Sequence, residues 1–275
     1  MKALKALARD WLPPAAIRQI EAATRGQRIR FEGDFSSWDQ ASAQCTGYDE
    51  AAILHKVLAA TLKVKRGKAA FERDSVLFHE IEYNWPMLSG LLWSAARHGG
   101  RLNVLDFGGA LGSSYFQHRR FFAVLPEVRW NVVEQTHYVD AGQAHIQDDT
   151  LRFYKSIEHC LADNKPNVIL LSSVLQYLAT PGDIIADLPN VGATSLLIDR
   201  TPISAYRQNK LVIQRVPAAI YTASYGMWIF SMSALMKKLE AHWRLVTTTL
   251  NAEGAVRSEK GLDFSFQGML LESRE

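Results

Sequence analysis

Cysteine is almost missing from this chain of 275 residues: there are two, Cys45 and Cys160, and neither lies in a CxxC pair or a Cys/His cluster. That spacing argues against a disulfide framework and a zinc site, so no metal is expected and a reducing, cytoplasmic setting fits best. Long apolar runs are also lacking. The best candidate, 168–178, is interrupted by Ser172, Ser173 and Gln176, short of the roughly 18 apolar residues needed to cross a bilayer, so no transmembrane segment is expected. Met1 to Asp10 carries charge at helical intervals and has neither an unbroken apolar stretch nor a small-residue cleavage site, so no secretion signal is expected. No basic and aromatic stripe marks a nucleic-acid partner, and there is no internal repeat or low-complexity tract.

What is present suits a globular protein. A hydrophobic share of 48% can fill a core, and the length fits one α/β domain with a smaller appendage. Charge is uneven, because residues 1–30 hold seven Lys/Arg against Asp10 and Glu21 while the whole chain carries only +3. This basic arm can rest on anionic headgroups at the inner face of a membrane, meet an acidic partner, or simply be a solvated helix face.

Along the chain the pattern first reads as helical. Pro13-Pro14 punctuates two short helices, Asp49 is placed to cap a helix over 50–62, and a long helix is expected over 76–97, stopped by Gly99-Gly100. Between them 31–48 reads as a loop carrying Phe35 and Trp38. After Gly100 short apolar runs alternate with helix-length segments, giving expected strands at 102–107, 130–134, 151–154, 168–172 and 195–199. Two further strands, 243–250 and 262–272, form a terminal hairpin around a turn at 251–261. The segment 210–225, rich in Val, Ile and Tyr, reads as a strand-like flap, with Tyr221, Ser224 and Tyr225 facing either substrate or core. Domain organisation follows: a helical cap over 1–100 and a cofactor-binding α/β domain over 101–275.

The most informative stretch is Val104-Leu105-Asp106-Phe107-Gly108-Gly109-Ala110-Leu111-Gly112-Ser113-Ser114. A buried strand ends at an acid and passes through glycines into a helix, so the backbone can approach a nucleotide-like ligand and present free N–H groups to it. The spacing is not GxGxxG, and no GK[ST] follows for a phosphate loop. Glu134, in Val133-Glu134-Gln135, ends the second strand 28 residues after Asp106, where a carboxylate can accept both hydroxyls of a ribose. The fourth strand exits through Ser172-Ser173-Val174-Leu175-Gln176-Tyr177, and Tyr177 can line a cationic centre or belong to the core.

The glycine turn resembles the Asp-x-Gly-x-Gly-x-Gly motif of class I methyltransferases, with Asp106, Gly108 and Gly112 in register and Ala110 at the middle glycine. More widely, Asp74, 104–114, 133–135, 172–178, Ile198-Asp199-Arg200-Thr201-Pro202 and Ile220-Tyr221-x-x-Ser224-Tyr225 are similar to a family of bacterial methyltransferases, defined by sequence more than by assay, often associated with surface-polysaccharide gene regions. The likeness spans roughly 31–272. It implies the Rossmann-like, seven-stranded class I sheet, S-adenosyl-L-methionine as cofactor, bound by Asp106, Gly108, Gly109, Ala110, Gly112, Glu134, Gln135, Ser172, Ser173 and Tyr177, and a small-molecule or glycan-type acceptor such as a surface-polysaccharide sugar or nucleotide-sugar. The resemblance supplies no catalytic residue.

If the acceptor is a hydroxyl, a proton must leave, and the candidates to assist are His79, His137, and Asp199 with Arg200. Asp199-Arg200 ranks first: after an apolar strand, Asp199 can accept a proton and Arg200 can hold an anionic group, although the two can equally form a surface ion pair. Two other function classes remain open. One is a nicotinamide-dependent oxidoreductase on a nucleotide-sugar; the other is a non-catalytic, cofactor-binding partner in a glycan-assembly complex.

Overall fold

The computed structural model describes residues 29–45, 50–73, 75–217 and 223–274. The readings placed on 1–28, with Pro13-Pro14 and all of the basic arm but Arg30, and on Asp49, Asp74, Ile220 and Tyr221 lie outside the described residues. In chain order the elements are β1 (Arg30–Glu32), α1 (Trp38–Ser42), α2 (Glu50–Lys65), β2 (Phe71–Arg73), β3 (Val76–Phe78), α3 (Trp85–Arg97), β4 (Arg101–Phe107), α4 (Ser113–Phe122), β5 (Glu127–Val133), α5 (Thr136–His145), β6 (Leu151–Tyr154) and α6 (Ile157–Asp163). They continue with β7 (Val168–Ser172), a 3-10 turn at Leu175–Tyr177, α7 (Pro181–Asp187), a second 3-10 turn at Leu188–Val191, β8 (Ser195–Ser204), β9 (Lys210–Val216), β10 (Ala223–Ser231), α8 (Met232–Leu239), β11 (Trp243–Arg257) and β12 (Asp263–Ser273).

Five parallel strands stand in the order β6-β5-β4-β7-β8. On the far side of β8 comes β12, antiparallel to it, and then β11, antiparallel to β12. The central strands are covered on both faces, which is why Val168–Leu171 of β7 and Leu196–Ile198 of β8 are continuous apolar runs, whereas the edge strand β6 alternates, with Arg152 exposed. Val104, Val168, Leu170 and Leu197 pack with α2, α3 and α4 on one face, through Val57, Leu88, Leu91 and Phe116. Leu105, Ile169, Leu171, Leu196 and Ile198 pack with α6, α7 and α8 on the other, through Cys160, Ile185 and Leu235.

Strand β8 outlasts its neighbour β7. Its first half pairs β7 from Ser195 to Asp199; beyond that, Ile203 and Ser204 pair in parallel with β10, which carries β9 and β1 outward in antiparallel fashion. The expected flap is thus a two-stranded ribbon joined to the main sheet. Phe31, Val212, Met227, Ile229 and Phe264 form a separate small core beneath it, and the backbone N–H of Glu259 donates to the carbonyl of Phe31 at 2.9 Å, closing the curl against the β11–β12 turn.

Several expected boundaries change. The span 76–97 is not one helix: β3 occupies its start and the helix begins at Trp85, because Pro86 is tolerated only in a first turn and Asn84 caps it, accepting from the N–H of Met87 at 3.2 Å. The supposed loop 31–48 contains β1 and α1, with Trp38 stacked on Trp228 at 6.2 Å. With β1 and the β2–β3 hairpin, the segment read as a helical cap holds three strands. The turn expected at 251–261 is mostly strand, since β11 runs on to Arg257.

Gly90 of α3 faces the sheet so closely that an added Cβ would stand 2.5 Å from the buried Leu197 side chain. Gly90→Ala gains helix propensity yet overpacks this contact, and a net loss of about 1–2 kcal/mol is expected in urea unfolding; a stabilised variant would contradict the packing described.

Candidate functional site

The carboxyl ends of β4, β5 and β7 and the middle of β8, at Asp199 and Arg200, converge on one crevice. At β4, Asp106 is buried and accepts a hydrogen bond from the Trp130 indole N–H at 2.8 Å. The turn beyond it is compact: a Cβ at Gly109 would stand 2.4 Å from the Asp106 carboxylate, and one at Gly108, whose φ is +74°, would stand 2.3 Å from Val174. Glycine is needed there because the chain doubles back over its own strand end. Gly112, at φ +86°, starts α4 with no side-chain cap, so the first-turn N–H groups of a ten-residue helix face the crevice.

Glu134 sits where β5 ends. Its carboxylate accepts from the N–H of Ala110 at 3.2 Å and of Gln135 at 2.7 Å, which holds it against the glycine turn with its remaining lone pairs free to receive hydroxyls. Burial pushes its pKa up, against those two hydrogen bonds. Asp106 is pushed up further, to about 7, chiefly by burial, with the Trp130 bond opposing and the nearby Glu134 charge adding to it.

The other side of the crevice is organised by Asp199, which is 2% exposed. Oδ1 accepts from Asn251 Nδ2 at 2.9 Å; Oδ2 accepts from Asn84 Nδ2 at 3.0 Å and from the Ser172 hydroxyl at 2.9 Å. Asn251 also accepts from the backbone N–H of Arg200 at 3.2 Å. Asn84 links onward, since its N–H donates to His118 Nε2 at 3.2 Å while Nδ1 of that ring lies 2.9 Å from the carbonyl of Ser114. The two contacts assign the proton to Nδ1 and leave the imidazole neutral; burial holds its pKa below the ordinary histidine value. A narrow cavity of about 50 Å³ lies among Arg73, Asn84, Ser114, Ser172, Asp199 and Arg200. Glu72, on the β2–β3 hairpin, is buried and accepts from the Ser113 hydroxyl at the start of α4.

Backbone strain clusters here. Non-glycine residues with positive φ are Ala110 (49°), Ser173 (56°), Arg200 (48°) and Ser75 (67°) among the described residues. The first three are the residues just beyond β4 and β7 and at the kink in β8. Gln176 ties two of them together, donating from Nε2 to the Ser173 hydroxyl at 3.1 Å and to the Arg200 carbonyl at 3.2 Å. Conformations of this kind persist where surrounding structure enforces them, characteristically at binding and reaction sites.

The expected site residues therefore divide. Asp106, Gly108, Gly109, Ala110, Gly112, Glu134 and Gln135 form one turn. Ser172, Ser173, Asp199 and Arg200 form the opposite wall. Tyr177 lies further out, where its hydroxyl donates to Gln214 Oε1 at 3.1 Å and its ring meets Tyr225 edge-on at 5.1 Å; it belongs to the ribbon contact and sits in a 3-10 turn, not in an amphipathic helix. His137 is beside Glu134, on the first turn of α5, and His79 is exposed just past the β2–β3 hairpin. The alternative of an Asp199–Arg200 surface pair does not describe Asp199, whose side chain is buried among neutral donors. Glu72, Asn84, His118, Gln214 and Asn251 were not found by sequence reasoning. Only Asn84 carries a local signal, as a cap before Trp-Pro.

No family model matches the chain, and no curated protein sequence matches it. Among solved structures it is similar to the N-terminal domain of EvdMO1 crystallised in the presence of SAH and D-fucose, at 11% identity over 83% of this chain and 98% of that one, with a TM-score of 0.48. It is also similar to the 1,6-didemethyltoxoflavin-N1-methyltransferase of Burkholderia thailandensis, at 15% identity over 90% and 100% of the two chains, with a TM-score of 0.40. The fold itself is defined by this chain's strand order: five parallel strands, an antiparallel strand inserted beside the last of them, and an edge strand outside it. That is the Rossmann-like class I methyltransferase fold.

Two outcomes are expected. A carboxyl whose pKa is raised in the folded state keeps a proton that the unfolded chain releases, so Asp106 costs stability as pH rises from about 4 through about 7. Asp106→Asn keeps an acceptor for Trp130, and its Tm advantage over the wild type should grow between about pH 5 and pH 8; a constant difference would refute the buried, shifted carboxyl. Asn251→Ala strips a donor from Asp199 and an acceptor from the Arg200 N–H, and should lower unfolding free energy by about 2 kcal/mol, measured by urea titration; no loss would show that the contact is not made.

Proposed function

We propose that the chain is an S-adenosyl-L-methionine-dependent methyltransferase acting on a small-molecule or glycan-type acceptor. The observation that carries this reading is the turn at 106–112 with Glu134 latched to it through the Ala110 N–H. A compact glycine bend, free helix N–H groups and a carboxylate at the next strand end match a nucleoside with a ribose diol, and the antiparallel insertion of β12 is the topology of methyltransferases, not of dinucleotide dehydrogenases. When bound, the cofactor supplies the activated methyl group and its own leaving group, so the chain needs chiefly to position the reactants and exclude water.

In this reading Glu134 accepts the ribose hydroxyls, while Asp106 and Gly108 to Gly112 shape the adenosyl seat. The narrow cavity takes the methionine end: Arg73, Arg200 and the start of α4 offer positive potential to a carboxylate, and Asp199 offers negative potential to an ammonium group. Asp199 acts here as a positioning group. Three donors occupy its oxygens, so it orients Asn84 and Ser172 more readily than it takes up a proton. His118 is not a base either, with both ring nitrogens engaged. Neither His79 nor His137 is joined to the Asp199 network by a described hydrogen bond. Such a site suits an amino group, which attacks through its lone pair and sheds its proton after transfer, while a sugar hydroxyl would need His79 or His137 to approach it. The acceptor as a surface-polysaccharide sugar or nucleotide-sugar, and contact of the basic residues of 1–30 with the inner face of a membrane, form part of the same proposal.

The test is calorimetric titration with S-adenosylmethionine and S-adenosylhomocysteine beside NADH and NADPH. Saturable binding of the first pair, weakened at least tenfold (about 1.4 kcal/mol) by Glu134→Ala, is expected. Binding of a nicotinamide instead would overturn the proposal, and cofactor binding with no acceptor ever methylated across a sugar and nucleotide-sugar panel would favour a non-catalytic module.

A further inference from the structure

The cavity at the start of α4 is small for the groups that line it. At about 50 Å³ it has room for a few water molecules, whereas pockets that hold small molecules run to about 300–1,000 Å³. Its walls are nonetheless those of a ligand site: Arg73 and Arg200, the buried Asp199, and Ser113 and Ser114 of the first turn of α4. To admit an amino-acid moiety, one wall has to move.

The walls differ in how firmly they are held. Asp199, Ser172 and Asn84 are tied to one another across three segments of the chain. Phe71 and Arg73 belong instead to the β2–β3 hairpin, a two-stranded sheet outside the ladder of the main one. β3 is exposed along its length, and the Phe71 ring stacks on Phe78 of the same hairpin at 5.7 Å. The chain is fastened on either side: Lys65, at the end of α2, donates to the Ile146 carbonyl at 2.6 Å, and the Glu82 carbonyl accepts from the Gln117 amide. Between these anchors Glu72 joins the hairpin to α4. It is buried, its Oε1 accepts from the Ser113 hydroxyl, and its Oε2 accepts from the N–H of Ser75 at 3.3 Å. A two-stranded hairpin left to itself is marginally stable in water, so it depends on such support. Glu72 also sets a carboxylate against the first residue of a ten-residue helix, where free N–H groups and the helix dipole favour an anion.

We propose that Glu72 is a built-in occupant of the methionine end of the site: its carboxylate holds the β2–β3 hairpin shut over the start of α4, and the hairpin lifts, withdrawing Glu72, to release that position to the carboxylate of an incoming ligand. The inference rests on the S-adenosylmethionine reading of the crevice. A closed state of this kind lowers the apparent affinity in proportion to the fraction of molecules that are open. It acts on ligands that carry the amino-acid moiety. The adenosyl seat is held by bonds in which the hairpin takes no part, from Trp130 to Asp106 and from the Ala110 N–H to Glu134, so a ligand limited to that seat does not compete with Glu72.

The experiment is calorimetric titration of the full chain with S-adenosylhomocysteine and with adenosine, comparing wild type with Glu72→Gln. The substitution keeps the size of the side chain, removes its charge and turns one acceptor oxygen into a donor. S-adenosylhomocysteine should bind the variant more tightly by about threefold or more, and adenosine should bind both proteins equally. Hydrogen exchange of the unliganded proteins gives a second readout: the amides of β2 and β3 should exchange faster in Glu72→Gln by a similar factor, with those of β4 and β7 unchanged. S-adenosylhomocysteine binding that the substitution leaves unchanged or weakens overturns the inference, as does hairpin exchange indifferent to it. Failure of both ligands to bind either protein overturns the cofactor reading itself, and this inference with it.

Discussion

The buried carboxylate of Asp199 is the contact on which the crevice depends. It is withdrawn from water with neutral donors around it, and such a group is tolerated only when its oxygens are satisfied. Each donor comes from a different part of the chain: Asn84 from the cap of α3, Ser172 from the end of β7, Asn251 from the extension of β11. The requirement to satisfy one acid thus draws the amino-terminal region, the parallel sheet and the terminal ribbon together. Gly268 of β12 allows it, since a side chain there would press on Thr249 and approach Asp199.

Around this hub the strand ends carry strain that nothing local relieves. Ala110, Ser173 and Arg200 each adopt a left-handed backbone at roughly 1 kcal/mol or more apiece. Polar side chains pin them: the Gln176 amide spans the second and third, the Asn251 amide fixes the third, and the Glu134 carboxylate holds the Ala110 N–H. The strained peptides are thereby aimed at the crevice without bound ligand, an arrangement that lowers the ordering cost of binding.

The parallel sheet was readable in the sequence from its short apolar runs bounded by polar turns: 168–171 is apolar throughout and buried on both faces, 151–154 alternates with Arg152 exposed, and the expected bounds 151–154 and 168–172 match the strands residue for residue. The glycine turn and Glu134 were readable for a related reason, since backbone shape and a strand-end acid are local features. The long-range partners were not. Asn251 was expected in a turn, and nothing near it in sequence reveals that an acid 52 positions earlier needs its amide. Glu72 and His118 are ordinary polar residues until the fold encloses them. β8 was expected to end at Asp199, because charge usually marks a strand end; here the strand runs on, and the charge is buried by segments far away in the chain.

One consequence concerns the order in which the molecule is made. The three donors that meet at one carboxylate are spread from position 84 to position 251, so loop closure across most of the chain precedes the first complete version of the crevice. Local units such as α3, α4 and the β9–β10 ribbon can form early, but the site is a late product of folding. During synthesis the Asp199 network cannot be complete until Asn251 of β11 has left the ribosome, and a nascent chain that ends before it has the glycine turn and the residues of the facing wall without the amide that fixes Asp199 and Arg200.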